Sequence, residues 1–151
     1  MDGQRGRVLL AEDEASIVAS LRFLLGRAGF EVEVEINGEA VVDRALAAPP
    51  DLLVLDVMLP GIDGFEALRR LRADPRCASL PIVMLTAKGQ REDRETAARL
   101  GADAFITKPF ANADVVNAVT RLAQGAAAGE TVPGALPGRA AGATSGSGGT
   151  A

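Results

Sequence analysis

Five short apolar runs alternate with amphipathic segments along residues 1–124, and this alternation restricts the fold more than any other feature of the chain. The apolar runs predict β-strands at 8–12, 32–36, 52–56, 82–86 and 104–108. The segments that follow them have apolar residues near helical spacing and predict helices at 14–29, 38–48, 64–74, 91–102 and 112–124. Strict alternation of strands and helices is typical of a parallel sheet covered by helices on both faces.

The composition of each run predicts where its strand lies in the sheet. The first, third and fourth runs are apolar almost throughout, as central strands buried on both faces require. The second run, "VEVEI", alternates Val with Glu, so we place it at an edge with one face in water. A barrel of alternating parallel strands and helices would need more strands than these five. We therefore predict an α/β fold with a doubly wound, flavodoxin-like sheet of five parallel strands.

The composition changes after Gln124. Residues 125–151 are mostly Gly, Ala, Ser, Thr and Pro, with few large apolar side chains. Such a segment cannot bury enough surface to offset its ordering entropy. We predict one domain at 1–124 and a flexible tail or linker at 125–151. A linker to an output domain and a tail derived from cloning are the two alternatives.

The composition also excludes several classes of function. There is no histidine, so imidazole cannot act as a base, nucleophile or metal ligand, and the single Cys77 excludes an internal disulfide. The net charge of -4 disfavours non-specific binding to nucleic acid, and no stretch approaches membrane-spanning length. We expect a soluble, cytoplasmic protein with no direct nucleic-acid or membrane partner.

The residues that could take part in binding or catalysis lie at the carboxyl ends of the predicted strands. They are Glu12 and Asp13, Asp56, Thr86 and Ala87, and Lys108 with Pro109. These ends meet at one edge of a parallel sheet, where open α/β proteins bind ligands. Two carboxylates about 4 Å apart repel by roughly 4 kcal/mol at an effective dielectric constant near 20. A hard divalent cation offsets that repulsion, and a site of oxygen ligands favours Mg²⁺, which completes its shell with water and phosphate oxygens.

This grouping predicts phosphoryl chemistry at Asp56, because a carboxylate can form an aspartyl phosphate. The transfer needs mainly positioning and neutralisation of the phosphoryl oxygens. Mg²⁺, the Lys108 ammonium and the Thr86 hydroxyl could share that charge, while the small Ala87 leaves space for the phosphoryl group. An X–Pro bond favours trans by only about 0.5–1 kcal/mol. A cis Lys108–Pro109 bond is therefore accessible and would direct the lysine over the site.

Four motifs at these strand ends resemble the receiver domain of two-component response regulators. They are "LLAEDE", "LLVLDVMLPGIDGFE", "PIVMLTA" and "GADAFITKPF". The resemblance covers residues 7–124. It implies a phosphoacceptor switch rather than an enzyme, in which Asp56 takes a phosphoryl group from a histidine kinase or a histidine phosphotransfer protein.

The resemblance also implies a role for each site residue. The implied Mg²⁺ ligands are Asp13, Asp56, Glu12 through a water, and the backbone carbonyl of Met58. The implied phosphate-binding residues are Lys108, Thr86 and Ala87. Thr86 and Phe105 would form the switch, in which the hydroxyl moves toward the phosphoryl oxygens and the ring follows inward. The fourth-helix to fifth-strand face would then bind a downstream protein.

Some positions depart from the usual family pattern. The first acid is Glu12 where Asp is usual. The side chains of Met58 and Lys88 offer no carboxylate or amide that could orient a hydrolytic water, so we expect a phosphoryl group that lasts beyond seconds. Ala118 occupies the place of an arginine that receivers of winged-helix regulators use for dimer salt bridges. We therefore expect either a monomer or a phosphorylation-dependent dimer.

Two other functions would also use an acid at the end of the third strand. A hydrolase with an aspartyl-phosphate intermediate needs a second acid two residues after the nucleophile, where this chain has Met58. A receiver that acts only as an interaction module, independent of phosphorylation, would not need the full set of site residues. The output stays open between a stand-alone receiver of the chemotaxis or phosphorelay type and the excised receiver of a longer regulator.

Overall fold

A computed structural model describes residues 5–87, 91–125 and 132–136. Its strands are β1 (Gly6–Ala11), β2 (Phe30–Glu35), β3 (Leu52–Asp56), β4 (Ile82–Thr86) and β5 (Ala104–Thr107). Its helices are α1 (Ala15–Arg27), α2 (Gly38–Ala47), α3 (Gly64–Arg72), α4 (Arg91–Leu100) and α5 (Asn112–Ala123). A short 3₁₀ helix (Pro75–Cys77) follows α3. Among these described elements, no helix combines the length and apolar character that a membrane span requires.

The five strands form one parallel sheet in the order β2-β1-β3-β4-β5. This confirms the predicted doubly wound α/β fold, and β2 lies at an edge as its alternating Val and Glu residues predicted. One face of the sheet packs against α1 and α5, and the other packs against α2, α3 and α4.

β3 shows why a central strand of this sheet must be apolar throughout. Leu53 and Leu55 point into the core beneath α2 and α3, whereas Leu52 and Val54 point into the core beneath α1 and α5. All four side chains are fully buried. A polar side chain anywhere in this run would be buried without water, so the acid at the end of the strand requires a specific partner.

Several predicted boundaries were wrong by one or two residues. α1 covers Ala15–Arg27 rather than 14–29, and β5 ends at Thr107 rather than at residue 108. The 3₁₀ helix was not predicted. It forms because the Asp74 carboxylate accepts a hydrogen bond from the Arg76 N–H at 2.9 Å, and Pro75 suits the first helical position.

Residues 132–136 lie against the outer edge of β5. Ala135 forms an antiparallel bridge with Ala104, and the side chains of Val132 and Leu136 are buried. A flexible tail or linker is predicted for 125–151, and the structure places these five residues of it against β5. Val and Leu supply the apolar anchors that a Gly- and Ala-rich segment otherwise lacks. Residues 126–131 and 137–151 lie outside the described residues, so there the predicted tail, like the domain boundary, stays a prediction.

Gly64, the first residue of α3, allows a close approach between this helix and the end of β3. A Cβ atom at this position would lie 2.4 Å from the Asp56 carbonyl oxygen and 2.8 Å from the Val57 Cα. We expect Gly64→Ala to lower the free energy of unfolding by about 2 kcal/mol, because the turn must open to admit the methyl group. Urea denaturation measures this change.

Gly26 provides the matched control, since it is exposed in α1 and a Cβ there would meet no atom within 4 Å. We expect Gly26→Ala to leave stability unchanged or raise it by up to about 1 kcal/mol, because Ala is the better helix former. Equal losses in the two variants would contradict the proposed close approach at Gly64.

Candidate functional site

Three carboxylates gather at the carboxyl edge of the sheet. Glu12 directly follows β1, Asp13 comes next, and Asp56 ends β3. Carboxylate oxygens of the three residues lie within 4.8 Å of one another. Glu12 and Asp56 are 0% and 1% exposed, whereas Asp13 is exposed to solvent. The structure therefore brings together the three acids that were predicted to meet, two of them almost out of contact with water.

The ammonium group of Lys108 lies among these acids. Its Nζ donates to Asp56 Oδ2 at 3.1 Å, to Glu12 Oε2 at 3.3 Å and to Glu14 Oε1 at 3.5 Å. The Lys108 backbone N–H donates to the Thr86 carbonyl at 2.6 Å, which fixes the end of β5 beside β4. The Lys108–Pro109 peptide bond is cis. One ammonium group cannot neutralise two buried carboxylates and their exposed neighbours.

Backbone N–H groups orient both buried carboxylates. The Glu14 N–H donates to Glu12 Oε2 at 3.0 Å, and the Met58 N–H donates to Asp56 Oδ1 at 3.1 Å. The second Glu12 oxygen, Oε1, lies 3.2 Å from the Lys108 ammonium but makes no hydrogen bond within the described part of the chain. A buried polar atom without a hydrogen bond costs about 1–3 kcal/mol, so this oxygen favours an additional cation or water.

Burial and the neighbouring charges shift the pKa values of Glu12 and Lys108. Burial raises the pKa of Glu12 from 4.5 to about 7; the Glu14 N–H opposes the rise, the Asp56 charge adds to it, and Lys108 opposes it. Burial lowers the pKa of Lys108, but its hydrogen bond to Asp56 and the charges of both carboxylates raise it on balance. Lys108 is therefore an ammonium ion at neutral pH, while Glu12 keeps its proton to a higher pH than an ordinary glutamate does.

The raised Glu12 pKa predicts how the stability of the metal-free protein depends on pH. Because the folded pKa is about 7 and the ordinary value is 4.5, the unfolded chain releases this proton at lower pH than the folded chain. The contribution of Glu12 is therefore complete below the unfolded pKa and is lost as pH rises to about 7. The full loss is about 3 kcal/mol.

Glu12→Gln removes the titrating group and keeps nearly the same shape. The free energy of unfolding of this variant should therefore lack the decrease with rising pH that Glu12 causes. Urea denaturation of both proteins in the absence of metal, between about pH 4 and pH 8, measures the difference. The same dependence of stability on pH in the two proteins would show that Glu12 has an ordinary pKa.

The remaining predicted residues lie around this centre. Thr86 ends β4 and is 1% exposed, and the exposed Ala87 follows it. Phe105 pairs with Met84 in the parallel ladder and is 2% exposed, so Thr86 and Phe105 project from neighbouring strands to the same face of the sheet. The Met58 side chain is 57% exposed. Lys88 lies outside the described residues.

The structure adds one residue that had been overlooked. Glu14 is the third carboxylate partner of Lys108, and the acidic run at 12–14 was the available signal. Glu14 also lines a cavity of about 590 Å³ beside the acids, together with Ile17, Ala87, Lys108 and Phe110 among others. Most of the lining residues are apolar, and Glu14 and Lys108 are the charged ones.

Comparison with known proteins identifies the family. Residues 8–120 match the model of the response regulator receiver domain, and the chain belongs to this family. It is 39% identical over 116 residues to the phosphate regulon transcriptional regulatory protein PhoB of Rhizobium meliloti, which covers 77% of this chain and 51% of that protein. The chain therefore spans about half the length of this relative. Because that relative is a transcriptional regulator, the absence of a direct nucleic-acid partner stays a prediction.

Two solved structures support the same assignment. A putative response regulator from Chloroflexus aurantiacus superposes with a TM-score of 0.74 and 33% identity, covering 79% of this chain and 98% of that one. The receiver domain of the sensor histidine kinase PA1611 from Pseudomonas aeruginosa has a TM-score of 0.65 and 29% identity, covering 79% and 94% of the two chains. That structure has a magnesium ion coordinated in the active site cleft.

Proposed function

We propose that this chain is a phosphoacceptor of two-component signalling, in which Asp56 receives a phosphoryl group from a histidine kinase or a histidine phosphotransfer protein. The observation that carries the proposal is the position of Asp56. This acid is 1% exposed, lies within 4.8 Å of the carboxylate oxygens of Glu12 and Asp13, and accepts a hydrogen bond from Lys108 at 3.1 Å. A purely structural acid at a strand end does not need two further acids and a partly buried ammonium beside it.

The donor set fits Mg²⁺. All the available ligand atoms are oxygens, which this hard cation prefers, and the unsatisfied Glu12 Oε1 faces Lys108 in the same cluster. Asp13 and Asp56 would hold the ion directly, Glu12 through a water, and Met58 through its backbone carbonyl. When bound, the ion supplies positive charge to the phosphoryl oxygens.

The transfer needs few groups from the chain. An electron pair of the Asp56 carboxylate forms the oxygen–phosphorus bond, the phosphorus–nitrogen bond of the donor phosphohistidine breaks, and its electron pair returns to the imidazole nitrogen. The Met58 N–H keeps the carboxylate oriented. Lys108, whose raised pKa keeps it charged, donates to a phosphoryl oxygen, and the Thr86 hydroxyl can donate to another. Ala87 leaves space for the incoming group.

The consequence of phosphorylation would appear on α4 and β5. Thr86 and Phe105 share one face of the sheet on neighbouring strands, and the Phe105 ring is already buried. Movement of the hydroxyl toward the phosphoryl group would leave space beside the ring and so favour this buried position. A downstream protein would bind the altered face. Both output alternatives, a stand-alone receiver and the receiver of a longer regulator, use this same site. In either case the chain would assist only its own phosphorylation and dephosphorylation.

Incubation with acetyl phosphate tests this function without a cognate kinase. In the presence of Mg²⁺ we expect mass spectrometry of the intact chain to show one added phosphoryl group, because a small acyl phosphate can replace the phosphohistidine donor. Chelation of Mg²⁺ with EDTA should abolish the addition. Absence of labelling with Mg²⁺, or equal labelling in EDTA, would contradict the proposal.

A further inference from the structure

Residues 132–136, here called the edge segment, pair with the open edge of β5. β5 is the last strand of the sheet, so without the edge segment its outer N–H and C=O groups have no strand partner. The Phe105 N–H donates to the Gly134 carbonyl, and the Leu136 N–H donates to the Asp103 carbonyl, each at 2.9 Å. The edge segment thus adds a short antiparallel partner to a parallel sheet.

Side chains of the edge segment enter the cores on both faces of the sheet. Val132 joins the core beneath α1 and α5, and Leu136 joins the opposite core, which contains Phe105. Gly134 has a φ of +72°, and a Cβ there would lie 2.8 Å from both the Phe105 carbonyl oxygen and Ile106 Cγ1. The docked conformation therefore requires two apolar anchors with a glycine between them, which is a specific sequence requirement.

The edge segment is connected to the acidic site through β5. Its Leu136 and the Phe105 ring belong to one core cluster, and Phe105 is 2% exposed. Arg94 of α4 donates at 3.5 Å to the carbonyls of both Phe105 and Ala135. Three residues beyond Phe105, Lys108 contacts Asp56 at 3.1 Å. β5 and the residue that follows it, Lys108, therefore join the docked segment to the candidate phosphoacceptor.

We propose that the edge segment is an intramolecular regulator that favours the phosphorylated state by holding the Phe105 ring in its buried position. This inference rests on the proposed function, in which the inward ring accompanies phosphorylation of Asp56. Because coupling between two sites is reciprocal, phosphorylation also strengthens docking of the edge segment. Any partner that approaches the edge of β5 meets this segment and not a free strand edge.

Three variants of the full chain test the proposal. Leu136→Ser removes a buried anchor, and Gly134→Ala introduces the close contacts described above. Ala135→Ser is the matched control, since the Ala135 side chain is exposed and its neighbour Leu136 is buried. Circular dichroism checks that all three variants retain the fold.

The first measurement is amide hydrogen exchange of Phe105 without Mg²⁺, which involves no phosphoryl chemistry. We expect exchange at this amide to be at least about tenfold faster in Leu136→Ser and Gly134→Ala and unchanged in Ala135→Ser. Equal exchange rates in all four proteins would show that the edge segment is not docked and would overturn the proposal.

The second measurement is titration with beryllofluoride and Mg²⁺, which mimic the phosphoryl group on Asp56. We expect the apparent dissociation constant to rise by about fivefold or more in Leu136→Ser and Gly134→Ala and to stay at the wild-type value in Ala135→Ser. If Leu136→Ser and Gly134→Ala bound beryllofluoride as tightly as the wild-type chain or more tightly, the proposed coupling would be overturned. Failure of the proposed function is distinguishable, because the wild-type chain would then take up no label from acetyl phosphate, whatever the exchange of Phe105 shows.

Discussion

Replacing Asp56 by Asn is expected to reduce labelling by acetyl phosphate and Mg²⁺ to the background level. The amide has nearly the shape of the carboxylate but lacks the anionic oxygen that forms the bond to phosphorus. Asp56 is the only one of the three clustered acids that both ends a strand and accepts hydrogen bonds from Met58 and Lys108. Mass spectrometry of the intact chain measures the loss directly.

Asp43→Asn is the control for this experiment, since Asp43 is exposed on α2 and lies outside the acidic cluster. We expect it to be labelled like the wild-type chain. Labelling of Asp56→Asn to the wild-type level would exclude Asp56 as the acceptor, whereas loss of labelling in both variants would show that the assay responds to a general change in charge.

The second large effect is expected for Lys108→Met in the absence of metal. This change keeps the aliphatic stem and removes the positive charge that offsets part of the negative charge of Glu12 and Asp56. A buried carboxylate left without its cation is destabilising, and because the Lys108 side chain is 14% exposed and Glu12 can protonate, we expect a loss of about 2 kcal/mol. Mg²⁺ should restore most of that loss, because it supplies the missing positive charge.

The diagnostic quantity is the stabilisation by Mg²⁺, measured by urea denaturation with and without the ion. It should be larger in Lys108→Met than in the wild-type chain. Arg22→Met, at an exposed position on α1, is the control and should respond to Mg²⁺ like the wild type. An equal increment in Lys108→Met and the wild type would argue that the ion and the ammonium do not share the same carboxylates.

The sheet and the place of the site were predictable because both depend on simple patterns. Apolar runs predict the strands, and apolar residues at helical spacing predict the helices between them. The resulting alternation of strands and helices places β3 inside the sheet. Carboxyl ends of parallel strands must then share one edge, so Glu12, Asp56 and Lys108 had to be neighbours. The position of β2 at the edge of the sheet, with one face toward solvent, followed from the Glu residues between its Val residues.

The features that were missed depend on tertiary contacts. Docking of 132–136 rests on two apolar side chains and on the free edge of β5, which appears only when the sheet is complete. Glu14 was overlooked as a partner of Lys108 because nothing in the acidic run at 12–14 distinguishes its third member. The ion pair of Arg72 with Asp103, at 3.2 Å, likewise joins residues far apart in the chain.

Titration of the metal-free protein with Mg²⁺, followed by NMR of the carboxyl and amide signals, tests most directly whether the acidic cluster is a cation site that prepares Asp56. The predicted result is a saturable change at Glu12, Asp13 and Asp56, with the pKa of Glu12 falling from about 7 because the ion stabilises its ionised form. Signals of these three residues that stay unchanged while Mg²⁺ reaches millimolar concentration would contradict it.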